Sequence, residues 1–353
     1  MSDLSLYNPI LLPMLDPSIA PDTFAGKRVL ITGGMGFLGS ALAISLVRLG
    51  AEVMIVDHML SGHGGNPFNI APIQHRVHVS YTDIRDTSAM NYVVRDQDYV
   101  FHLAGQVDHV LSLQDPFPDI DINIRGTATV MEAIRRNNPT ARVVYTGTRG
   151  EYGETTDLPV TETAPTMPKA LQEISNLTAE KIVDMYDSVH SIRSIMLRLT
   201  NIYGPRAQMQ HPRYGVANWF VRLAIDGETI KVFGDGQIIR DFLYVDDCIN
   251  ALIRCALCEA AYGEVFNVAS GIPLNFRTLA ETLVEISESG RWEFSPFTPE
   301  RAAQEPGDFY ADVCKIKQIV GWEPTTTLRE GLLRTVQFYR AYGKHYWTAK
   351  EQA

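Results

Sequence analysis

Three glycines at a spacing of three, Gly33, Gly36 and Gly39, precede an acid, Asp57, by about 18 residues from the last of them. A turn built this way brings backbone close to an anion. Gly33 allows the tight turn, Gly36 lets the chain approach a pyrophosphate, and Gly39 lets the following helix pack near its strand. The helix N-terminus then offers unpaired N–H groups and its positive dipole end. Asp57 is placed to accept the 2′-hydroxyl of an adenosine ribose and would repel a 2′-phosphate, so the pattern predicts NAD and not NADP. Further along, Thr148 is followed by Glu151, either a pocket acid or a solvated loop acid. Arg240 beside Asp241 is either a bidentate phosphate ligand or half of a surface ion pair.

For these residues to meet, strands and helices must alternate. Short β-branched runs at 29–32, 53–56, 77–80, 99–106, 142–145 and 194–200 read as buried strands, and 37–49, 120–136 and 173–189 as helices. That alternation predicts an α/β fold, a doubly wound parallel (Rossmann) sheet whose ligands sit at the carboxyl ends of the strands. The 33–39 turn, Gly105 and Thr148 all fall at such ends. Asp83 is placed either to bond the adenine amino group or to cap a helix at Thr87-Ser88. From about residue 205 the signals shorten and stop alternating. The chain therefore divides into an arm at 1–26, a dinucleotide domain at 27–204, and a smaller α+β substrate lobe at 205–345, with the chain crossing between lobes. The Pro-rich arm carries Leu11, Leu12, Met14 and Leu15 to bury against the body or a second subunit.

The chain has 353 residues, 45% hydrophobic and 20% charged, with a formal net charge of −10. That sign argues against nucleic acid or an anionic membrane as partner. No apolar run approaches the ~20 residues of a membrane span. The N-terminal segment lacks a secretory pattern, so a cytoplasmic protein is expected. Cys248, Cys255, Cys258 and Cys314 fit no disulfide framework or metal site and are read as buried thiols.

Several separated segments then carry a resemblance. They are Thr32-Gly33-Gly34-Met35-Gly36-Phe37-Leu38-Gly39, Asp83-Ile84, His102-Leu103-Ala104-Gly105, Tyr152-Gly153, residues 198–205, Gly234-Asp235-Gly236 with 240–247, and 266–271. Together they resemble the extended short-chain dehydrogenase/reductase family, in its NAD-dependent nucleotide-sugar epimerase and dehydratase branch. The resemblance implies a cofactor site extending to Phe37, Leu38, His58, Ile84, Leu103, Ala104, Gln106, Asn123, Thr146 and Asn176. It implies that a nucleotide diphosphate sugar is held by Thr148, Asn201, Asn218, the Lys231-Val232-Phe233 strand and Arg240. A homodimer is implied through helices around 123–136 and 173–189. Relatives often carry an arginine before a late Gly-Asp pair. Here Glu305-Pro306 precedes Gly307-Asp308, and Arg301 is the nearest substitute.

The largest departure lies at the reacting centre. The family pattern places a Tyr-x-x-x-Lys pair on the helix after the fifth strand; the lysine lowers the tyrosine pKa and the tyrosine takes a hydroxyl proton. Aligned on Pro168 and Glu180-Lys181, those positions hold Gln172 and Asn176, and no tyrosine stands between Tyr152 and Tyr186. Gln172 has no titratable proton and Asn176 no charge. Loss of a general base costs roughly 10²–10⁴-fold, so another group must serve. Glu151, three residues past Thr148, is the first candidate. Glu173 projects about 100° from Gln172 on a helix. Lys169, His109, His211 and Asp108 follow. The expected function is transient C4 oxidation of a nucleotide sugar with a non-standard acid/base set. The alternatives are an inactive NAD- and nucleotide-sugar-binding protein or regulatory subunit, or a non-redox lyase or hydrolase with structural NAD.

Overall fold

A computed structural model describes residues 8–297 and 305–348. The first six strands are β1 (Arg28–Thr32), β2 (Glu52–Val56), β3 (Val77–Ser80), β4 (Tyr99–His102), β5 (Arg142–Thr148) and β6 (Ser194–Leu199). The later ones are β7 (Asn201–Tyr203), β8 (Thr229–Phe233), β9 (Ile239–Arg240), β10 (Phe242–Tyr244), β11 (Val265–Val268), β12 (Leu274–Asn275) and β13 (Arg291–Ser295). Seven of them form one parallel sheet in the order β11-β6-β5-β4-β1-β2-β3. Both faces of such a sheet are covered, which is why its strands are near-continuous apolar runs: Val29 to Thr32 and all of β6 are buried. The strand order reverses between β1 and β4, and a crevice opens at their carboxyl ends.

Helices α1 (Phe37–Arg48), α2 (Thr87–Val93), α3 (His109–Gln114), α4 (Phe117–Asp119), α5 (Thr127–Asn137) and α6 (Leu171–His190) connect the first strands. α2, α5 and α6 pack together on one face over a core containing Met90, Val130, Ile134 and Val183. The expected helix at 120–136 is interrupted: Ile120–Gly126 is π-helical before α5 begins. Gly126 there lies where a Cβ would meet Ile84 at 2.5 Å, so a bare glycine lets the turn close on that side chain.

The smaller lobe contains α7 (Val216–Ile225), α8 (Val245–Leu257), α9 (Phe276–Ser287), α10 (Cys314–Val320) and α11 (Leu328–Tyr342). β8 pairs with β13, β7 with β10 and β9 with β12. After residue 204 the chain crosses between the lobes. β11 completes the large sheet by pairing with β6, covering backbone that an edge would leave open, and α8 packs on α1.

The arm lies on the body. Leu11 and Phe24 are buried, and Phe24 meets the ring of Tyr99 at 5.3 Å. Asp246 accepts the Met14 N–H at 2.9 Å, Arg254 bonds Asp16 at 2.7 Å, and Met14 itself stays exposed. Among the cysteines, Cys248 and Cys255 are buried, while Cys314 is exposed, against the expectation of core thiols throughout. Among the described residues, no helix is long and apolar enough to cross a membrane.

Candidate functional site

A cleft of about 460 Å³ runs along the carboxyl ends of β1, β2, β4, β5 and β6 and beneath residues 207–215 of the smaller lobe. The turn after β1 forms its floor. Gly33 takes φ +73°, and a Cβ there would meet the Ala104 backbone at 3.0 Å. A Cβ on Gly39 would lie 2.2 Å from the Gly33 carbonyl oxygen, so this turn and α1 meet only because Gly39 lacks a side chain. Gly36 caps α1 with no side-chain acceptor, leaving the first N–H groups of the helix for a ligand. Asp57 directly follows β2; its Oδ2 accepts the Met35 N–H and its Oδ1 that of Met59, each at 2.9 Å. Burial pushes its pKa up, against those two bonds. An anion-receptive helix end and a carboxylate with lone pairs remaining fit a dinucleotide.

The other expected cofactor positions border the same cleft, with one exception. Gln106 is fully buried, and its side chain bonds the Asp108 backbone at 2.9 and 3.1 Å. Asn123 borders the cleft, but its amide holds the Gln106 backbone at 2.7 and 3.1 Å and Ser175 at 2.9 Å. Its work is to fix the loop after β4. Asp83 is bonded by the Arg85 side chain at 2.6 to 3.0 Å, and the helix cap belongs to Asp86, which accepts from Ser88 and Ala89.

At the centre of the cleft, Thr148 ends β5 and accepts the Gly150 N–H at 3.2 Å, leaving its hydroxyl proton to donate. Gln172 stands opposite in the first turn of α6. Its side chain is buried, and its Oε1 has no hydrogen-bond partner among the described residues. A buried acceptor left so costs about 1–3 kcal/mol, which a donating ligand would recover. Asn176 borders the cleft one turn on, and its Nδ2 donates to the Gln172 carbonyl at 2.7 Å.

Glu151 does not face this cleft. It is fully buried behind the end of β5, accepts the Thr148 N–H at 2.9 Å, and lies 3.2 Å from Arg198. Burial, and then the neighbouring Glu180 carboxylate, push its pKa well above the usual range, so it is held protonated. The remaining candidates separate clearly. Lys169 pairs with Glu154 on the exterior. His211 Nε2 donates to the Gly62 carbonyl at 3.0 Å, and its Nδ1 accepts from Gln208 Nε2 at 3.1 Å. Asp108 caps α3 and pairs with Arg213 at 2.9 Å. Glu173 does not border the cleft: its stem packs on Gly150, its Oε2 accepts the Ala170 N–H at 2.8 Å, and its Oε1 lies 3.8 Å from Nδ1 of His109, which does.

On the other side of the cleft, Asn201 and Asn218 border it, though Asn201 Nδ2 donates to the Asp241 carbonyl at 2.9 Å and Asn218 Oδ1 accepts the Gly204 N–H at 3.0 Å. Lys231, Val232, Phe233 and Arg240 do not border it. Val232 is buried under the β8–β13 pair, and Arg240 bonds Glu305 and the carbonyls of Ile239 and Gly307, the latter two at 2.8 and 2.6 Å. The acid in the unexpected place thus occupies the guanidinium expected to take phosphate. Arg301 lies outside the described residues. Sequence reasoning missed His63, Gly65, Arg213 and Tyr214, which close the cleft from loops; only the glycines at 62, 64 and 65 hinted at this.

The sequence profile of the NAD dependent epimerase/dehydratase family matches residues 29–269. The UDP-glucose 4-epimerase of Mycolicibacterium smegmatis is 30% identical over 318 residues, 89% of this chain and 98% of that protein. A UDP-N-acetyl-alpha-D-glucosaminuronate decarboxylase of Bacillus cytotoxicus is equally similar, 30% over 330 residues, covering 89% and 98%. Among solved structures, the Thermus thermophilus UDP-glucose 4-epimerase in complex with NAD superposes with a TM-score of 0.79 at 26% identity, covering 89% of this chain and 99% of that one.

Proposed function

This chain belongs to the NAD dependent epimerase/dehydratase family, its cofactor is NAD, and from that membership we propose that it transforms the sugar of a nucleoside-diphosphate sugar with an acid/base set that uses neither tyrosine nor lysine. The observation that carries this reading is the continuity of the cleft: a dinucleotide entering at Gly36 and Asp57 and a second ligand entering at Asn218 meet at Thr148 and Gln172. NAD, when bound, supplies an acceptor for hydride from a carbinol carbon. The chain supplies the rest. The α1 N-terminus holds the pyrophosphate and Asp57 the adenosine ribose. Thr148 donates to the sugar oxygen, and Gln172 Oε1 accepts from a neighbouring hydroxyl, fixing the sugar without moving a proton. The similar proteins include an epimerase and a decarboxylase, and oxidation of a carbinol can begin both reactions, at the inverting carbon in the first and near the departing carboxylate in the second.

We expect the enzyme to act in the cytoplasm as a homodimer. Exposed Leu113, Phe117 and Ile120 before α5, with Ile174, Met185 and Val189 on α6, support a second copy on that side. The test of function is to incubate NAD-loaded protein with nucleotide sugars in D₂O, following mass and 340 nm absorbance. Deuterium uptake or a mass change with transient reduced cofactor is the expected result. Binding without any change in several sugars would leave an inactive binding protein, and chemistry without reduced cofactor a non-redox lyase or hydrolase.

A further inference from the structure

With Glu151 turned away, other titratable side chains on the cleft wall, His109 among them, are left to take a proton. We propose that His109, oriented by Glu173, is the general base and acid that stands in for the missing tyrosine. The inference rests on the functional reading above and names the residue that reading requires.

The placement of His109 is over-determined. Asn123 fixes the backbone of Gln106, the Gln106 side chain fixes the backbone of Asp108, and Asp108 caps α3 through the Val110 and Leu111 N–H groups at 3.0 Å. His109 is therefore the first residue of α3, at the end of the loop after β4, the strand next to β5 and Thr148. Its imidazole borders the same cleft as Thr148 and Gln172 and is about half exposed. Nδ1 faces the Glu173 carboxylate at 3.8 Å, and Nε2 has no hydrogen-bond partner among the described residues. Glu173 is itself anchored by the Ala170 N–H and by its close approach to Gly150. A carboxylate at Nδ1 favours the tautomer with the proton there, leaving Nε2 as acceptor.

The charges around the ring set its proton affinity. The protein packed about it pulls the imidazole pKa below its ordinary value. Glu173 from α6, with Asp119 and Asp108, pulls it back up, while Arg149 from the turn after β5 pulls it down. The ring is neutral at pH 7 and ready to accept. Tyr214, an unpartnered hydroxyl on the cleft, has a phenol pushed up to about 12 by burial and then by Asp108, which makes it a poor base.

The step balances as follows. The sugar O–H bond breaks and its proton goes to Nε2, while the O–H electron pair forms the carbonyl bond. The C–H bond breaks and its pair leaves with hydrogen as hydride, for which NAD, when bound, would supply the acceptor. On return of the hydride, His109 gives the proton back to the oxygen. The Glu173 carboxylate stabilises the imidazolium between these events.

Two measurements test this on the full-length, NAD-loaded protein. With the nucleotide sugar that the wild type turns over, His109→Ala is expected to lose roughly 10²–10⁴-fold in kcat with little change in KM, and added imidazole is expected to restore part of it. Glu173→Gln is expected to lower the His109 imidazole pKa, read by NMR titration without substrate, by about one unit, and to shift the acid limb of the pH–rate profile equally. Wild-type kcat in His109→Ala, or loss of activity that imidazole does not restore, overturns the assignment while the functional reading stands. An imidazole pKa unchanged by Glu173→Gln overturns the pairing. No turnover by the wild type is a failure of the functional reading itself, and the assignment falls with it.

Discussion

Arg198 grips Glu180 through two buried hydrogen bonds of 2.7 and 2.8 Å, and the Nε that makes the longer of them also lies 3.2 Å from Glu151. One guanidinium thus serves two carboxylates. Burial opposes ionisation of both, but the Arg198 hydrogen bonds hold Glu180 below its ordinary pKa, leaving Glu151 to keep its proton.

Glu151→Gln therefore swaps one neutral acceptor for another, and kcat should stay within a few-fold of wild type. Glu180→Gln alone should destabilise less than the ~3–5 kcal/mol expected for an orphaned buried charge, because Glu151 can ionise and take the guanidinium. The double variant should lose that full amount. Urea unfolding of the three variants reads the coupling, and additive losses would refute the shared proton.

The carboxylate of Asp57 faces the cleft where a ribose 2′-hydroxyl is expected. NAD should bind at least ~10-fold more tightly than NADP, and Asp57→Asn should narrow that ratio. Fluorescence titration with the two reduced cofactors measures it. Equal affinity for both in the wild type would remove Asp57 from the ribose site.

Glu305 occupies Arg240, whose side chain is otherwise satisfied by carbonyls. If a diphosphate must compete with that carboxylate, Glu305→Gln should tighten UDP binding by several-fold. Calorimetry with UDP is the measurement. Unchanged affinity would show that Arg240 is structural and that the phosphates lie elsewhere.

Asp246 ties the arm to α8, and burial raises its pKa to about 6 against the Met14 hydrogen bond and nearby Arg206. Between about pH 4 and 6 the folded protein keeps a proton that the unfolded chain has lost. Stability then falls as pH rises through that window and levels off above it. At ~1.4 kcal/mol per unit, the fall attributable to this group is at most about 3 kcal/mol. Asp246→Asn should be closer to wild type in stability at pH 4.5 and gain relative to it by pH 7. Parallel pH profiles would contradict this.

Phe117 is 70% exposed beside Leu113 and Ile120. Phe117→Glu should convert a dimer to monomer in light scattering after gel filtration, with the secondary structure unchanged. A wild-type monomer would end the proposal.

Local signals carried much of the molecule. The glycine turn, the buried parallel strands and Asp57 depend on neighbours close in sequence, where strand alternation and backbone geometry leave few solutions. Gln172 was legible as a gap for the same reason, since α6 sets its position. Which of the candidate groups replaces the tyrosine was not legible. His109 is a single imidazole after β4, and nothing within its own segment says that Glu173, on another element, will stand 3.8 Å from it. Glu151 misled in the opposite sense: three residues from Thr148 places it near the site, but only the buried Arg198 and Glu180 decide that it turns inward. Likewise Arg240 reads as a phosphate ligand until Glu305 reaches it across the fold. The chain's order of residues determined which strands and turns would form and where a dinucleotide would lie, because those follow from periodicity and local sterics. The tertiary structure decided which charges pair, because pairing over long sequence separations is settled by burial and by whichever partner the packing brings within a few ångströms.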